Sequence, residues 1–72
     1  MSKLSPISSR KLLQILKRGG FLEVRQKGSH LRLEHHDGRK TSVPIHSGEK
    51  IGKGLLAKIL KDTNLPYRKI QR

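Results

Sequence analysis

Residues 21–35 read FLEVRQKGSHLRLEH, and this stretch decides the fold because apolar and polar residues alternate on both sides of a Gly-Ser pair. Such alternation is typical of β-strands that bury one face. The first half predicts a strand over residues 21–27, with Leu22 and Val24 on one side and Arg25 on the other. The Gly-Ser pair predicts a turn that leads directly into a second strand.

The second half of the stretch predicts a strand over residues 30–35. Leu31 and Leu33 share one face of this strand, whereas His30 and Arg32 share the other. Because the two leucines belong to the core, we expect the His30 side chain to point away from it.

A third strand is predicted after Asp37-Gly38, since an Asp-Gly pair is typical of tight hairpins. Thr41, Val43 and Ile45 supply the inner face of this strand. Pro44 marks its edge or its end, because proline has no N–H to donate to a neighbouring strand.

Two amphipathic helices flank the predicted strands. Ser8 or Ser9 is the expected N-cap of the first helix, which ends near Arg18 at a pair of glycines. Residues 47–52 are polar and glycine-containing, so we expect a loop there, followed by a second helix that ends near Thr63. The apolar positions that define the helices are Leu12, Ile15 and Leu16 in the first, and Leu55, Leu56, Ile59 and Leu60 in the second.

The order helix, three antiparallel strands, helix predicts an α+β fold, a two-layer sandwich in which both helices cover one face of the sheet. We expect residues 1–72 to form a single domain of this kind, and its order resembles the double-stranded-RNA-binding fold. Residues 67–72 fit either one further helical turn or a frayed end. The second face of the sheet is left for solvent and ligands.

The composition is strongly basic. Seventeen Lys and Arg residues against five Asp and Glu residues give a formal net charge of +12 over 72 residues. This excess favours polyanionic partners, namely nucleic acid, an anionic membrane surface or an acidic protein.

With one Phe, one Tyr and no Trp, the chain lacks the rings that interfacial helices and base-stacking platforms use. There is no cysteine and no membrane-length apolar run, so we expect a cytoplasmic protein that does not bind membranes.

His30 is the candidate catalytic residue, because histidine exchanges protons near neutral pH and cations surround this one. Lys27 and Arg32 are candidate phosphate ligands, and the Gly28-Ser29 turn lets a phosphate approach the backbone. As a general base or acid, His30 would let an RNA 2′-hydroxyl attack the adjacent phosphate, a reaction that needs no metal ion. The alternative interpretation is an exposed strand histidine without a chemical role.

His46 follows the third strand and has two interpretations. It either contacts the substrate and protonates the leaving oxygen, or it is an ordinary loop histidine. His46 together with His35, His36 and Asp37 is a candidate set of metal ligands. However, the helical spacing of zinc hydrolases is absent and no cysteine completes a structural site. We therefore expect neither a metal nor another cofactor.

Several short motifs follow one another along nearly the whole chain. They are Ile7-Ser8, Leu12-Leu13, Leu16, Gly20-Phe21, the run from Arg25 to Arg32, Val43-Pro44-Ile45-His46, Gly54-Leu55 and Ile59-Leu60. Their order resembles that of the HicA family of bacterial and archaeal toxins, also called YcfA-like, which are mRNA interferases. The Gly-Ser-His and Val-Pro-x-His elements together are the more specific part of the resemblance.

The resemblance implies a toxin of a toxin–antitoxin system that cleaves mRNA without a metal ion. It also implies a double-stranded-RNA-binding-like fold, a catalytic histidine at the position of His30 and a HicB-like antitoxin as partner. We expect the free toxin to be a monomer. The competing interpretation is a non-catalytic module that uses the same fold and charge to bind double-stranded RNA by its shape and needs no histidine.

Overall fold

The structure, a computed structural model, describes residues 6–45 and 50–66. Its elements in chain order are β1 (Ile7–Ser8), α1 (Ser9–Arg18), β2 (Phe21–Lys27), β3 (His30–His35), β4 (Lys40–Pro44), β5 (Lys50–Ile51) and α2 (Lys53–Thr63). Strands β2, β3 and β4 form an antiparallel sheet in that order, and both helices contact it. This arrangement confirms the predicted α+β fold. Residues 67–72 and His46 lie outside the described residues.

The core lies between the helices and one face of the sheet. Leu31 and Leu33 are buried, whereas His30 and Arg32, which alternate with them along β3, are exposed, as the alternation predicts. Each fully buried aliphatic or aromatic side chain contributes roughly 1.5–3 kcal/mol to folding. The buried apolar side chains are Ile7, Leu12, Leu16, Phe21, Leu31, Leu33, Val43, Ile51, Leu56 and Ile59.

Helix α1 begins and ends as its flanking residues predict. Ser8 is the N-cap, and its hydroxyl accepts a hydrogen bond from the Lys11 N–H at 3.1 Å. After the helix, Gly20 has a φ of 98°, and a Cβ at this position would lie 2.6 Å from Nε2 of His35. Glycine is therefore required here both by the backbone conformation and by the close approach of the imidazole.

The turn between β3 and β4 is tied to the end of α2 through Arg39. Its guanidinium donates to the Asp37 carboxylate at 2.9 Å and, through Nη1, to the Thr63 carbonyl oxygen. The same group lies 5.2 Å from the centre of the Phe21 ring, and the His35 ring packs edge-on against that ring at 5.1 Å. These contacts fix the β3–β4 hairpin against the core.

The structure contains a second, two-stranded sheet in which β1 pairs with β5. Ile7 lies directly opposite Ile51, and both side chains are buried. The prediction that residues 47–52 form only a loop is therefore wrong for Lys50–Ile51. A pairing of two residues per strand between distant parts of the chain leaves no local pattern in the sequence.

Strand β2 contains a β-bulge at Val24. Glu23 lies opposite Leu33 and Arg25 opposite Arg32, so Val24 has no partner on β3. A bulge inserts one extra residue and changes the face on which the following side chains lie. Because Arg25 pairs with Arg32 it lies on the uncovered face, and the bulge brings Val24 to the same face. The prediction that Val24 and Arg25 lie on opposite faces is wrong, because both line one cavity.

Before the bulge, Phe21 is the residue of β2 that enters the core. It lies opposite His35 and is fully buried. Leu22 and Val24, the apolar pair of the sequence pattern, are instead 69% and 51% exposed. The bulge thus buries one aromatic ring and leaves two aliphatic side chains on the uncovered face.

Candidate active site

His30 begins β3 on the uncovered face of the sheet, where its side chain is exposed. Its neighbours across the sheet are Lys27 on β2 and Pro44 on β4. Arg32, two residues further along the strand, points to the same side. The structure therefore brings together Lys27, His30 and Arg32, which the sequence predicts as one site.

A first open cavity, of about 740 Å³, lies over this face. Its lining residues are Val24, Arg25, Lys27, His30, Arg32, Glu34 and Ser42. Three of these are permanent cations and one is an acid, so the cavity attracts anions. Arg25 is the cation that the sequence analysis did not assign to the site: the alternation of β2 puts it on the polar face, and its pairing with Arg32 places it in the cavity of His30.

A second cavity, of about 380 Å³, lies along β4 and extends to α2. It is lined by His30, Arg32, Lys40, Thr41, Ser42, Pro44, Leu55, Lys58, Ile59 and Asp62. His30, Arg32 and Ser42 line both cavities, so the imidazole lies where the two meet.

The turn before His30 leaves its outer side open. Gly28 has a φ of 60°, and no atom lies within 4 Å of the point where a Cβ would stand. The Gln26 side-chain amide donates to the Gly28 carbonyl at 3.1 Å, and the Ile45 N–H donates to the Ser29 carbonyl at 2.7 Å. Both carbonyl oxygens thus have partners, which fixes the turn that carries His30.

Glu34 in the first cavity and Asp62 in the second are paired with cations to different extents. In the first, Arg32 Nε lies 3.9 Å from Glu34 Oε2, and both side chains are about half exposed. An exposed pair at this distance leaves the guanidinium free to bind another anion. In the second, Asp62 accepts hydrogen bonds from Lys58 at 3.0 Å and from the Thr41 hydroxyl at 3.3 Å. The Asp62 charge is therefore balanced locally.

A family model described as "HicA toxin of bacterial toxin-antitoxin" matches residues 9–65. The chain belongs to the HicA toxin family. The matched range contains the whole three-stranded sheet and all the residues that line the two cavities. As a member of the HicA family, this chain is the toxin of a toxin–antitoxin pair, and the family implies a HicB-type antitoxin as its partner. A search of curated proteins finds no match.

The remaining histidines of this HicA family member have other positions. The His35 side chain is largely buried against Phe21 at the margin of the core, and its Nδ1 accepts a hydrogen bond from the Asp37 N–H at 3.2 Å. His36 is exposed at the hairpin turn. The role predicted for His46 stays a prediction. Within residues 6–45 and 50–66, no three His, Asp or Glu side chains are grouped closely enough to hold a metal ion.

None of the described helices of this HicA family member is long and apolar enough to cross a membrane.

Proposed function

We propose that this chain is an endoribonuclease that cleaves mRNA, with His30 as the residue that moves the proton. The observation that carries the proposal is the position of His30, which is exposed at the junction of two basic cavities on the uncovered face of the sheet. A histidine in this setting can meet a phosphodiester without any rearrangement of the core.

The chemistry runs through the RNA 2′-hydroxyl. Neutral His30 accepts the proton of this hydroxyl as its oxygen attacks the adjacent phosphorus. The bond from phosphorus to the 5′-oxygen breaks, and that oxygen takes a proton from solvent or from a general acid such as His46. The products are a 2′,3′-cyclic phosphate and a free 5′-hydroxyl. Every atom that reacts belongs to the RNA, the imidazole or water, so the reaction needs no metal ion.

The cations around His30 bind the reacting phosphate. Arg25, Lys27 and Arg32 all line the cavity that His30 shares, and negative charge on the phosphoryl oxygens grows as the 2′-oxygen attacks. The guanidinium groups can bind two phosphate oxygens at once, whereas Lys27 acts as a point charge beside the imidazole. The open side of Gly28 and Ser29 allows the RNA backbone to pass close to the turn.

The two cavities provide room for RNA on both sides of the cleaved bond. With the reacting phosphate at His30, one flank of the strand lies in the first cavity. The other flank crosses β4 towards Lys40 and Lys58 of the second cavity. Among the described residues, no Phe, Tyr or Trp side chain lines either cavity, so we expect the strand to be held mainly through its phosphates.

The HicB-type antitoxin inhibits this activity by covering the same face. An acidic surface over Lys27, His30 and Arg32 excludes RNA directly, and opposite charges make the encounter fast. RNA and antitoxin therefore compete. Both mRNA and the antitoxin would be met in the cytoplasm, where we expect the toxin to act.

A direct experiment incubates the purified protein with RNA in excess EDTA and determines the ends of the fragments. We expect fragments with 2′,3′-cyclic phosphate and 5′-hydroxyl ends, and no cleavage of a substrate with a single 2′-deoxynucleotide at the cut position. Fragments with 3′-hydroxyl ends would contradict the mechanism. Tight binding of double-stranded RNA with no cleavage would favour a non-catalytic module instead.

A further inference from the structure

Two exposed aliphatic side chains lie beside the cationic site. Leu22 and Val24 are 69% and 51% exposed, and with Leu55 they are the large apolar side chains that the described residues leave in solvent. Leu22 lies opposite Glu34 on the uncovered face, and Val24 lines the cavity of His30. They thus adjoin Arg25 and Arg32 on the same surface.

The fold itself does not need apolar residues at these two positions. The bulge at Val24 buries Phe21 and turns Leu22 and Val24 outward, so polar side chains would serve the sheet equally well. RNA gains little from them either, since phosphates bind cations and bases stack on aromatic rings. A protein partner that removes them from water does gain from their burial.

We propose that Leu22 and Val24 form an apolar anchor that the HicB-type antitoxin uses and RNA does not. This inference rests on the proposed function for the competition between the two ligands. The matching antitoxin segment carries an aliphatic or aromatic side chain flanked by carboxylates, because Arg25, Lys27 and Arg32 border the anchor. Contact is through side chains, since the bulge interrupts the regular edge of β2 to which another strand would pair.

RNA and the antitoxin share the cationic contacts of this face, but only the antitoxin uses the apolar anchor. Charge contacts with RNA and with an acidic antitoxin overlap at Lys27 and Arg32, so mutation there weakens both. Mutation of the anchor weakens antitoxin binding alone, which gives an active toxin that escapes inhibition.

The test compares the double variant Leu22→Thr/Val24→Thr with the wild type. Threonine keeps a β-branched side chain in the strand and removes most of the apolar surface. We expect antitoxin affinity to fall about tenfold or more in the double variant. The single variant Leu22→Thr, at a residue outside both cavities, should also lose antitoxin affinity while its RNA affinity and cleavage stay within about twofold of the wild type. Leu55→Gln is the control, because it removes an exposed aliphatic side chain from α2. Its affinity for the antitoxin should stay near that of the wild type.

Two further measurements, antitoxin binding at high salt and self-association of the chain, complete the test of the anchor. The antitoxin-binding defect of the double variant should persist in about 1 M NaCl, where exposed charge pairs are screened. Equal losses of antitoxin and RNA binding, or no loss of antitoxin binding, would overturn the anchor. A wild-type dimer that the double variant converts to a monomer would also overturn it, in favour of a second copy of the chain. Antitoxin binding is measured by calorimetry, so the result stands even if the wild type proves not to cleave RNA.

Discussion

Arg25 and Arg32 lie directly opposite each other across β2 and β3, on the uncovered face of the sheet. Like charges at directly opposed positions destabilise a strand pair. Such a pair is most favourable when an anion lies between the two groups. Both arginines line the cavity of His30, and under the proposed function the anion between them is an RNA phosphate.

The variant Arg25→Gln should be more stable than the wild type and should bind RNA more weakly. Removing the opposed charge is expected to raise the unfolding free energy by about 0.2–1 kcal/mol, or the melting temperature by about 1–5 °C. The slope of log RNA affinity against log salt should become shallower by about 0.7, as for the loss of one phosphate contact. Arg18→Gln on α1 is the control for charge. An Arg25→Gln variant that is less stable and binds RNA normally would show that Arg25 has only a structural role.

The position of Arg25 also shows what the sequence can predict. Counting back from a two-residue Gly-Ser turn pairs Lys27 with His30 and Arg25 with Arg32, which is the observed register. The apolar alternation agrees at Arg25, but it predicts that Leu22 and Val24 are buried, whereas the structure buries Phe21 instead. Neither pattern predicts the bulge at Val24, which keeps the register of the turn but shifts the preceding residues by one position, so that Phe21 is buried and Leu22 lies on the uncovered face.

Charge reversal at Lys27 and Arg32 should weaken RNA and antitoxin binding together. The variant Lys27→Glu/Arg32→Glu places two acids in the shared cavity, so both anionic ligands are repelled. The loss should be larger at low salt, because screening reduces the effect of exposed charges. Binding measured at several NaCl concentrations checks this. If antitoxin binding survives while RNA binding is lost, the antitoxin docks elsewhere and inhibits indirectly.

Lys58 should contribute to RNA binding through the second cavity. Lys58→Gln is expected to lower RNA affinity at about 0.15 M salt by several fold, since one phosphate contact is lost and the Asp62 carboxylate loses its cationic partner. Lys61→Gln is the matched control, because it removes the same charge from the same helix but lies outside both cavities. Equal effects of the two variants would mean that only the total charge matters.

Asp37 should make the stability of the hairpin depend on acid pH. The hydrogen bond from the Arg39 backbone N–H, supported by the Arg39 guanidinium, holds the pKa of Asp37 below its ordinary value although desolvation opposes it. A lowered pKa in the folded state gives stability that is present above about pH 4 and is lost as pH falls through the folded pKa. Asp37→Asn should therefore melt below the wild type at pH 7, and the difference should shrink towards pH 2. A difference that stays constant across this range would contradict the role of the charge.

Much of the site follows from sequence because it lies on one hairpin. The local pattern of the sequence predicts the turn at Gly28 and Ser29. It also predicts that His30 points outward, next to Lys27 and Arg32. The second cavity does not follow from it, since Lys40 and Lys58 meet only when α2 packs beside β4. Contacts between distant parts of a chain depend on packing, which a local pattern does not record.

The central claim is that His30 performs the chemistry while the fold does not depend on it. The most direct measurement is RNA cleavage and thermal unfolding of His30→Ala beside His36→Ala, which removes an exposed histidine outside both cavities. We predict that His30→Ala loses at least about 100-fold in cleavage rate and melts within about 3 °C of the wild type, whereas His36→Ala cleaves normally. Undiminished cleavage by His30→Ala, or a loss explained by unfolding, would contradict the assignment.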